Sequence, residues 1–177
     1  MAKAFELINT INVGAGGSAS IDFTSIPSTY TDLFVQFSLR TTLSGGPFYF
    51  DDCGLRLNND AANNYSATLL RSREGSLIVG AGYSGAQIPL YEASAGDATA
   101  NVFGNGHVYI ANYTSSRYKT LSIDGGSESN NATQVQQGFI AGLWRSSSAV
   151  TSIKLYSQNG QNFVQYSSAS LYGIKKA

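Results

Sequence analysis

Apolar and polar residues alternate with a period of two along most of this chain, and no other feature constrains its fold as strongly. In TDLFVQFSLR, residues 31–40, every second residue is apolar, namely Leu33, Val35, Phe37 and Leu39. A strand with this pattern buries one face and exposes the other. No segment shows the capped i, i+3, i+4, i+7 spacing of apolar residues that an amphipathic helix requires. The sequence therefore predicts β-strands throughout.

Turn sequences rich in glycine and asparagine, such as SGGP at 44–47 and DGGS at 124–127, separate the strand segments. The predicted strands are 4–11, 19–24, 31–40, 53–58, 65–70, 76–79, 107–112, 118–124, 134–144, 151–157 and 168–174. Short strands with turns between them favour an antiparallel sandwich over alternating strands and helices. We expect an all-β, antiparallel, jelly-roll-like β-sandwich in one domain, 1–177, with 1–18 as an N-terminal arm or edge strand.

Charged residues are few and balanced. Eleven Lys and Arg oppose 11 Asp and Glu, and charged residues make up 12% of the chain, against about 25% in average proteins. The longest basic run is Lys175-Lys176, so we expect no nucleic-acid partner. No apolar run has the length of a membrane span, so we expect no membrane partner. A neutral surface does not repel its own copies, which favours a homo-oligomer.

Candidate catalytic and metal-binding residues are scarce. The chain has one histidine, His107, and one cysteine, Cys53, and no flanking residues support a catalytic pair between them. A zinc site of the His/Cys type is excluded by these counts. Asp51 and Asp52 in YFDDCG could bind calcium together, but they lack the spacing of a known calcium loop, which favours a solvated loop. We expect a protein that is not an enzyme, with no catalytic residue, metal or cofactor.

The stretch around the histidine, HVYIANYTSSRYKTLSID at 107–124, indicates a hairpin. Its turn is predicted at 114–116, and His107 is predicted to point outward. The predicted inner face consists of Val108, Ile110, Leu121 and Ile123. The stretch also contains three tyrosines, which are predicted either to anchor loops at the corners of the sandwich or to form surface contacts, namely Tyr109, Tyr113 and Tyr118.

Aromatic residues mark the candidate binding surfaces. GGPFYFDD at 45–52 carries three consecutive rings in a predicted loop or edge strand, and an exposed cluster of this kind is typical of a contact site. The alternative is that two of the three rings fold into the core. With the N-terminal segment 3–11, these rings form the predicted protein interface, which consists of Phe5, Leu7, Phe48, Tyr49 and Phe50.

Trp144, the sole tryptophan, ends the sequence FIAGLW and shares a strand face with Ile140. Both faces of that strand are substantially apolar, so core burial is the favoured interpretation. The alternative is an aromatic platform on which a sugar stacks, formed by Trp144 with Tyr113 and Tyr118.

Several segments resemble a family of small virion proteins of tailed phages, abundant among aquatic phages including those of cyanobacteria. The likeness runs from about residue 19 to the C-terminus and is weakest through 45–96. It is strongest in IDFT at 21–24, YTDL at 30–33, IANY at 110–113, GLW at 142–144 and SLYGI at 170–174. The resemblance implies a β-sandwich structural component of the virion and supplies no catalytic residues.

Within that setting, the first hypothesis is a capsid decoration (cement) protein. It would be a trimer that binds the major capsid protein, or other virion proteins, and stabilises the head. The alternative is a tail-fibre or tail-tip domain that recognises a glycan of the host surface through stacking aromatic rings and amide hydrogen bonds. A glycan-processing enzyme is a distant third hypothesis.

Overall fold

The computed structural model of the protein describes residues 4–46, 49–73, 76–130 and 135–175. Every regular element in these residues is a β-strand, which confirms the predicted all-β class. The strands are β1 Phe5–Asn12, β2 Ser20–Phe23, β3 Asp32–Leu39, β4 Phe50–Leu57, β5 Tyr65–Arg73, β6 Ser76–Gly85, β7 Ile88–Ser94, β8 Gly104–Ile110, β9 Lys119–Glu128, β10 Val135–Trp144, β11 Ile153–Ser157 and β12 Ser168–Ile174. This described part of the chain contains no helix that could span a membrane.

Two sheets pack against each other and form a β-sandwich. The larger sheet has eight strands in the order β1-β12-β3-β8-β9-β10-β5-β6, and the smaller has four in the order β2-β11-β4-β7. Neighbouring strands pair antiparallel in both sheets. Strand β7 contacts β8, β9 and β10 across the sandwich. The antiparallel sandwich predicted from the sequence is confirmed.

The inner faces of the two sheets present rows of apolar side chains to each other. One row crosses the large sheet through Leu171, Val35, Val108, Ile123, Ile140 and Leu69. A row on the small sheet consists of Ile21, Leu155, Leu55 and Ile88. All of these side chains are buried. Burying a side chain of this size contributes about 1.5–3 kcal/mol, so the two rows hold the sheets together.

The predicted hairpin at 107–124 is formed by β8 and β9, and its four predicted inner residues are buried. Tyr113 lies in the connection between the two strands and is also buried. Its hydroxyl donates a hydrogen bond to the carbonyl of Pro27 and accepts one of 3.4 Å from the amide of Tyr30. Tyr113 therefore ties the hairpin to the loop that precedes β3, which is the corner role predicted for it.

Several strands differ from the prediction, and two of the differences affect the small sheet. Strand β7 was not predicted, because Pro89 interrupts its apolar run; it lies at the edge of the small sheet, where a proline is tolerated. Strand β4 begins at Phe50 rather than Cys53, so the solvated loop predicted for Asp51 and Asp52 is wrong. Asp51 is completely buried there because its carboxylate has partners of its own, described below.

Gly173 on β12 supplies a test of the packing. A Cβ atom at this position would overlap the ring of Tyr30, whose hydroxyl donates a hydrogen bond of 3.2 Å to Glu6. We expect Gly173→Ala to lower the free energy of unfolding by about 1–3 kcal/mol, because the ring must move. The measurement is urea denaturation followed by tryptophan fluorescence.

Gly82→Ala on β6 is the matched control, since a Cβ there meets no atom within 4 Å. It should change the free energy of unfolding by no more than about 0.5 kcal/mol. Equal destabilisation by the two substitutions would contradict the proposed clash with Tyr30.

Candidate functional site

The outer face of the eight-stranded sheet changes in character from one end to the other. The strand register places one outward residue of each strand in a continuous row, which runs Thr10, Ser170, Gln36, His107, Asp124, Phe139, Leu70 and Val79. The row is polar as far as Asp124 on β9 and apolar from Phe139 on β10 onward. The outer face therefore has a polar half and an apolar half, which meet between β9 and β10.

A shallow groove of about 510 Å³ lies in the polar half. Its outward-pointing walls come from β12, β3, β8 and β9, namely Ser168, Ser170, Phe34, Gln36, Ser38, Asn105, His107 and Asp124. Gly106 on β8 and Gly125 on β9, which pair with each other, also line the groove and contribute only backbone to it. The groove thus has a backbone floor and walls of hydrogen-bonding side chains.

His107 is held in a defined orientation at the centre of the groove. Its Nδ1 lies 2.8 Å from Oδ1 of Asp124, and both side chains are about 40% exposed (42% and 38%). Its ring lies 4.9 Å from the ring of Phe34, with a tilt of 33°. Nδ1 is engaged with the carboxylate, so Nε2 is the ring nitrogen that can hydrogen-bond to a ligand.

An aromatic cluster borders the groove on its β1 side. The rings of Phe5 and Phe34 are 5.7 Å apart, those of Phe5 and Tyr172 are 6.3 Å apart, and the first pair meets edge to face. Phe5 is 51% exposed, and Leu7 beside it on β1 is exposed as well. The structure therefore places Phe5 and Leu7 where a partner can reach them, and the contact predicted for them stays a prediction.

At the far corner of the same face, Tyr109 is tied to Asp32. Its hydroxyl donates a hydrogen bond of 2.8 Å to Oδ2 of Asp32, whose Oδ1 accepts one of 2.7 Å from the amide of Asn112. The hydrogen bond to Asp32 and burial both raise the pKa of Tyr109. The hydroxyl therefore stays protonated and holds the end of the β8–β9 hairpin against β3.

Of the three rings in the loop at 45–52, the structure describes Tyr49 and Phe50, and neither is exposed. Phe50 is buried at the start of β4, with the guanidinium of Arg73 5.8 Å from its ring, so its predicted contact role is wrong. Tyr49 is half-buried. Phe48 lies outside the described residues. Strand β4 begins at Phe50, three residues earlier than predicted. Phe50 is therefore part of the small sheet, and its side chain is buried.

The sugar-stacking set predicted as an alternative is also not assembled. Tyr113 and Trp144 are buried, so neither ring offers a face to a ligand. Trp144 stacks on Tyr65 at 6.4 Å and donates a hydrogen bond of 2.8 Å from Nε1 to Asp60. Tyr118 is exposed, but it lies outside the groove. Core burial of Trp144, the favoured interpretation of its sequence position, is confirmed.

Asp51 and Asp52 face different partners. The carboxylate of Asp51 accepts hydrogen bonds of 2.8 Å from the hydroxyl of Ser157 and 2.7 Å from the side-chain amide of Asn159. Asp52 instead interacts electrostatically with Arg71 and Arg73 on β5. Among the described residues, no three His, Cys, Asp or Glu side chains come close enough to hold a metal ion.

Cys53 and His107 lie on different sheets. Cys53 is buried on β4 of the small sheet, whereas His107 is on the outer face of the large sheet. The structure therefore does not bring the thiol and the imidazole together.

Sequence reasoning identified the outward residues of β3 but not their association with Asn105 and Asp124. The alternation of TDLFVQFSLR assigns Phe34 and Gln36 to the polar face. Which outward residues of other strands lie beside them depends on strand order and register, and neither is encoded in any one segment.

Comparisons with known proteins found little. No protein-family model matches the chain, and no curated protein matches it. Among solved structures, the CBM2 module of the evolved Dit of Lactobacillus casei BL23 phage J-1 is a weak neighbour. It has a TM-score of 0.23 and 12% sequence identity, and covers 89% of this chain and 70% of that one. The SPRY domain of human HERC1 has a TM-score of 0.23 and 10% identity, with coverages of 88% and 95%. Similarities of this size carry no argument about function.

The environment of Asp52 leads to a prediction about pH. Burial raises the pKa of Asp52 above its ordinary value, although Arg71 and Arg73 oppose the shift. The carboxyl group of Asp52 therefore has a lower pKa in the unfolded chain than in the folded protein. The free energy of unfolding falls as the pH rises from the unfolded pKa to the folded pKa. We expect Asp52→Asn to raise the urea midpoint at pH 7 and to leave it unchanged near pH 3, where both states are protonated.

Asp22→Asn is the control for this measurement. Asp22 is half-buried and lies 3.7 Å from Nζ of Lys154, so its neutralisation removes a favourable pair worth at most about 1 kcal/mol. It should lower the urea midpoint slightly at pH 7. A lower midpoint for Asp52→Asn at pH 7 would show that its charged form is stabilised by the arginines.

Proposed function

We propose that this chain is a virion protein that binds a glycan of the host surface in the groove of its large sheet. The observation that carries the proposal is the groove itself, in which the tilted rings of Phe34 and His107 lie beside amide, hydroxyl and carboxylate groups. Sugars combine apolar C–H faces with hydroxyls, and they are bound by aromatic rings together with planar polar side chains. The proposal keeps the tail-domain hypothesis and moves its site from Tyr113, Tyr118 and Trp144 to the residues that line the groove.

The charge of the groove favours neutral glycans. Its lining residues include one carboxylate, Asp124, and no lysine or arginine. An acidic sugar would bring a second negative charge close to Asp124 without a permanent cation to oppose it. The amide groups of Gln36 and Asn105 and the hydroxyls of the serines can instead donate to and accept from sugar hydroxyls.

We propose binding without hydrolysis. Glycoside hydrolysis ordinarily needs two carboxyl groups on opposite sides of the scissile bond. The groove lining contains Asp124 as its single carboxylate, and that group is engaged with His107. Adhesion is therefore a better match to this set of side chains than cleavage.

Capsid decoration is the second candidate function. The exposed side chains of Phe5 and Leu7 favour it, because they place an apolar edge where a major capsid protein could cover it. In this hypothesis the chain is a trimer on the head. Quantitative mass spectrometry of purified virions separates the two candidates: a copy number near that of the major capsid protein supports decoration, and a far smaller one supports a tail location.

Glycan binding is tested directly with an array of bacterial surface glycans, followed by calorimetric titration of the glycan that binds best. We expect the wild-type protein to bind neutral glycans, and His107→Ala and Gln36→Ala each to weaken binding about tenfold or more, as expected for lost stacking and hydrogen bonds in a site. Both residues are outward-facing, so thermal stability should stay close to that of the wild type.

Thr120→Ala is the matched control, because Thr120 is exposed on the same outer face but does not line the groove. It should bind as the wild type does. A wild-type protein that binds nothing on the array, or one whose binding survives both groove substitutions, would refute the proposed site.

A further inference from the structure

The apolar half of the outer face is an exposed patch at one edge of the large sheet. Leu70, Leu77, Val79 and Phe139 are 41%, 68%, 68% and 60% exposed. Phe139 pairs with Leu70 and Leu70 pairs with Val79 across three adjacent strands, so the side chains are contiguous. We call these four residues the edge patch. A contiguous apolar surface of this kind is typical of a protein contact.

The edge patch includes part of strand β6, which is one of the two edge strands of the large sheet. The sequence of β6, SLIVGAGYSG, contains no charged residue and no proline in ten positions. An outer strand presents unpaired backbone N–H and C=O groups, and natural proteins usually block such edges with charges, prolines, bulges or short strands. A neutral edge beside an apolar patch is suited to pairing with another strand.

The other three sheet edges carry such protection. On β1, Glu6 forms an ion pair of 2.9 Å with Lys175, and a register shift follows Leu7. Strand β2 has only four residues, and β7 contains Pro89. Strand β6 has one interruption, the bulge at Gly80, where the backbone φ is +69°. Its segment 76–79, which bears Leu77 and Val79, is left regular.

We propose that two copies of this chain associate through β6 and the edge patch, with segment 76–79 of each copy paired antiparallel. A second copy is the proposed occupant because the segment is complementary to itself: opposed residues of an antiparallel pair share a face, so Leu77 of one copy can lie opposite Val79 of the other. Strand β6 has no charged residue, so the pairing opposes no like charges. The pairing also buries Leu77 and Val79 of both copies.

The geometry of such a dimer follows from the pairing. Antiparallel strands are related by a two-fold axis perpendicular to the sheet, so the outer faces of both copies lie on the same side. Leu77 and Val79 of one copy then lie next to those of the other in one apolar strip. The grooves remain open at the two distant ends. If the proposed glycan site is correct, the dimer presents two such sites to one surface, which strengthens attachment by multivalency.

The test is the mass of the full chain in solution, measured by sedimentation velocity and light scattering from low to high micromolar concentration. We expect the wild type to reach twice the monomer mass of 18.8 kDa, and Leu77→Lys/Val79→Lys to stay monomeric with an unchanged far-UV spectrum. Leu77→Thr/Val79→Thr keeps strand propensity while removing apolar surface, so it should weaken dimerisation by about tenfold or more.

Thr120→Lys is the matched control, because Thr120 is exposed on the same outer face but lies on β9, outside the edge patch, and it should dimerise as the wild type does. A wild-type monomer at every concentration overturns the proposal. The proposal is also overturned if the wild type forms a dimer or trimer and both double variants on β6 keep the same mass. These readouts involve no glycan, so failure of the glycan site would leave them unaffected.

Discussion

The antiparallel register of the eight-stranded sheet is the constraint on which the rest of the structure depends. Since side chains alternate between faces, a slip of one residue in any ladder would expose the inner row and bury the outer one. The inner row from Leu171 to Leu69 opposes such a slip, because every member is an apolar side chain buried against the small sheet. The same register assembles the groove, which no single strand could form.

Two buried polar side chains, Lys119 and Tyr113, have backbone carbonyls as hydrogen-bond partners. Lys119 lies on the inner side of β9 and is completely buried, yet its Nζ donates hydrogen bonds of 2.8 Å and 2.5 Å to the carbonyls of Ser115 and Arg117. Burial lowers the pKa of this amine, and the two carbonyls satisfy its donors. Tyr113 is held in a comparable way by Pro27, so the hairpin connection is fixed at both ends.

Strand identity could be predicted from the sequence, whereas side-chain environment could be predicted only in part. Alternation identified β3, β8, β9 and β11 with their inner faces, because burial of one sheet face imposes the period. It failed for β7, where Pro89 occupies a tolerated edge position, and for Asp51, whose partners Ser157 and Asn159 are more than 100 residues away. Aromatic residues were predicted in part: core burial of Trp144 and the corner role of Tyr113 are confirmed, whereas Phe50, predicted as a contact residue, is buried.

The two halves of the outer face constrain each other through Asp124. This residue stands directly between His107 and Phe139 in the outer row, so it is the last polar position before the apolar patch begins. Its carboxylate is turned toward the imidazole at 2.8 Å. An apolar residue in its place would extend the patch into the groove and remove the partner that orients His107. Separate surfaces for a ligand and for a second copy can therefore share one sheet because this pair of side chains marks the boundary between them.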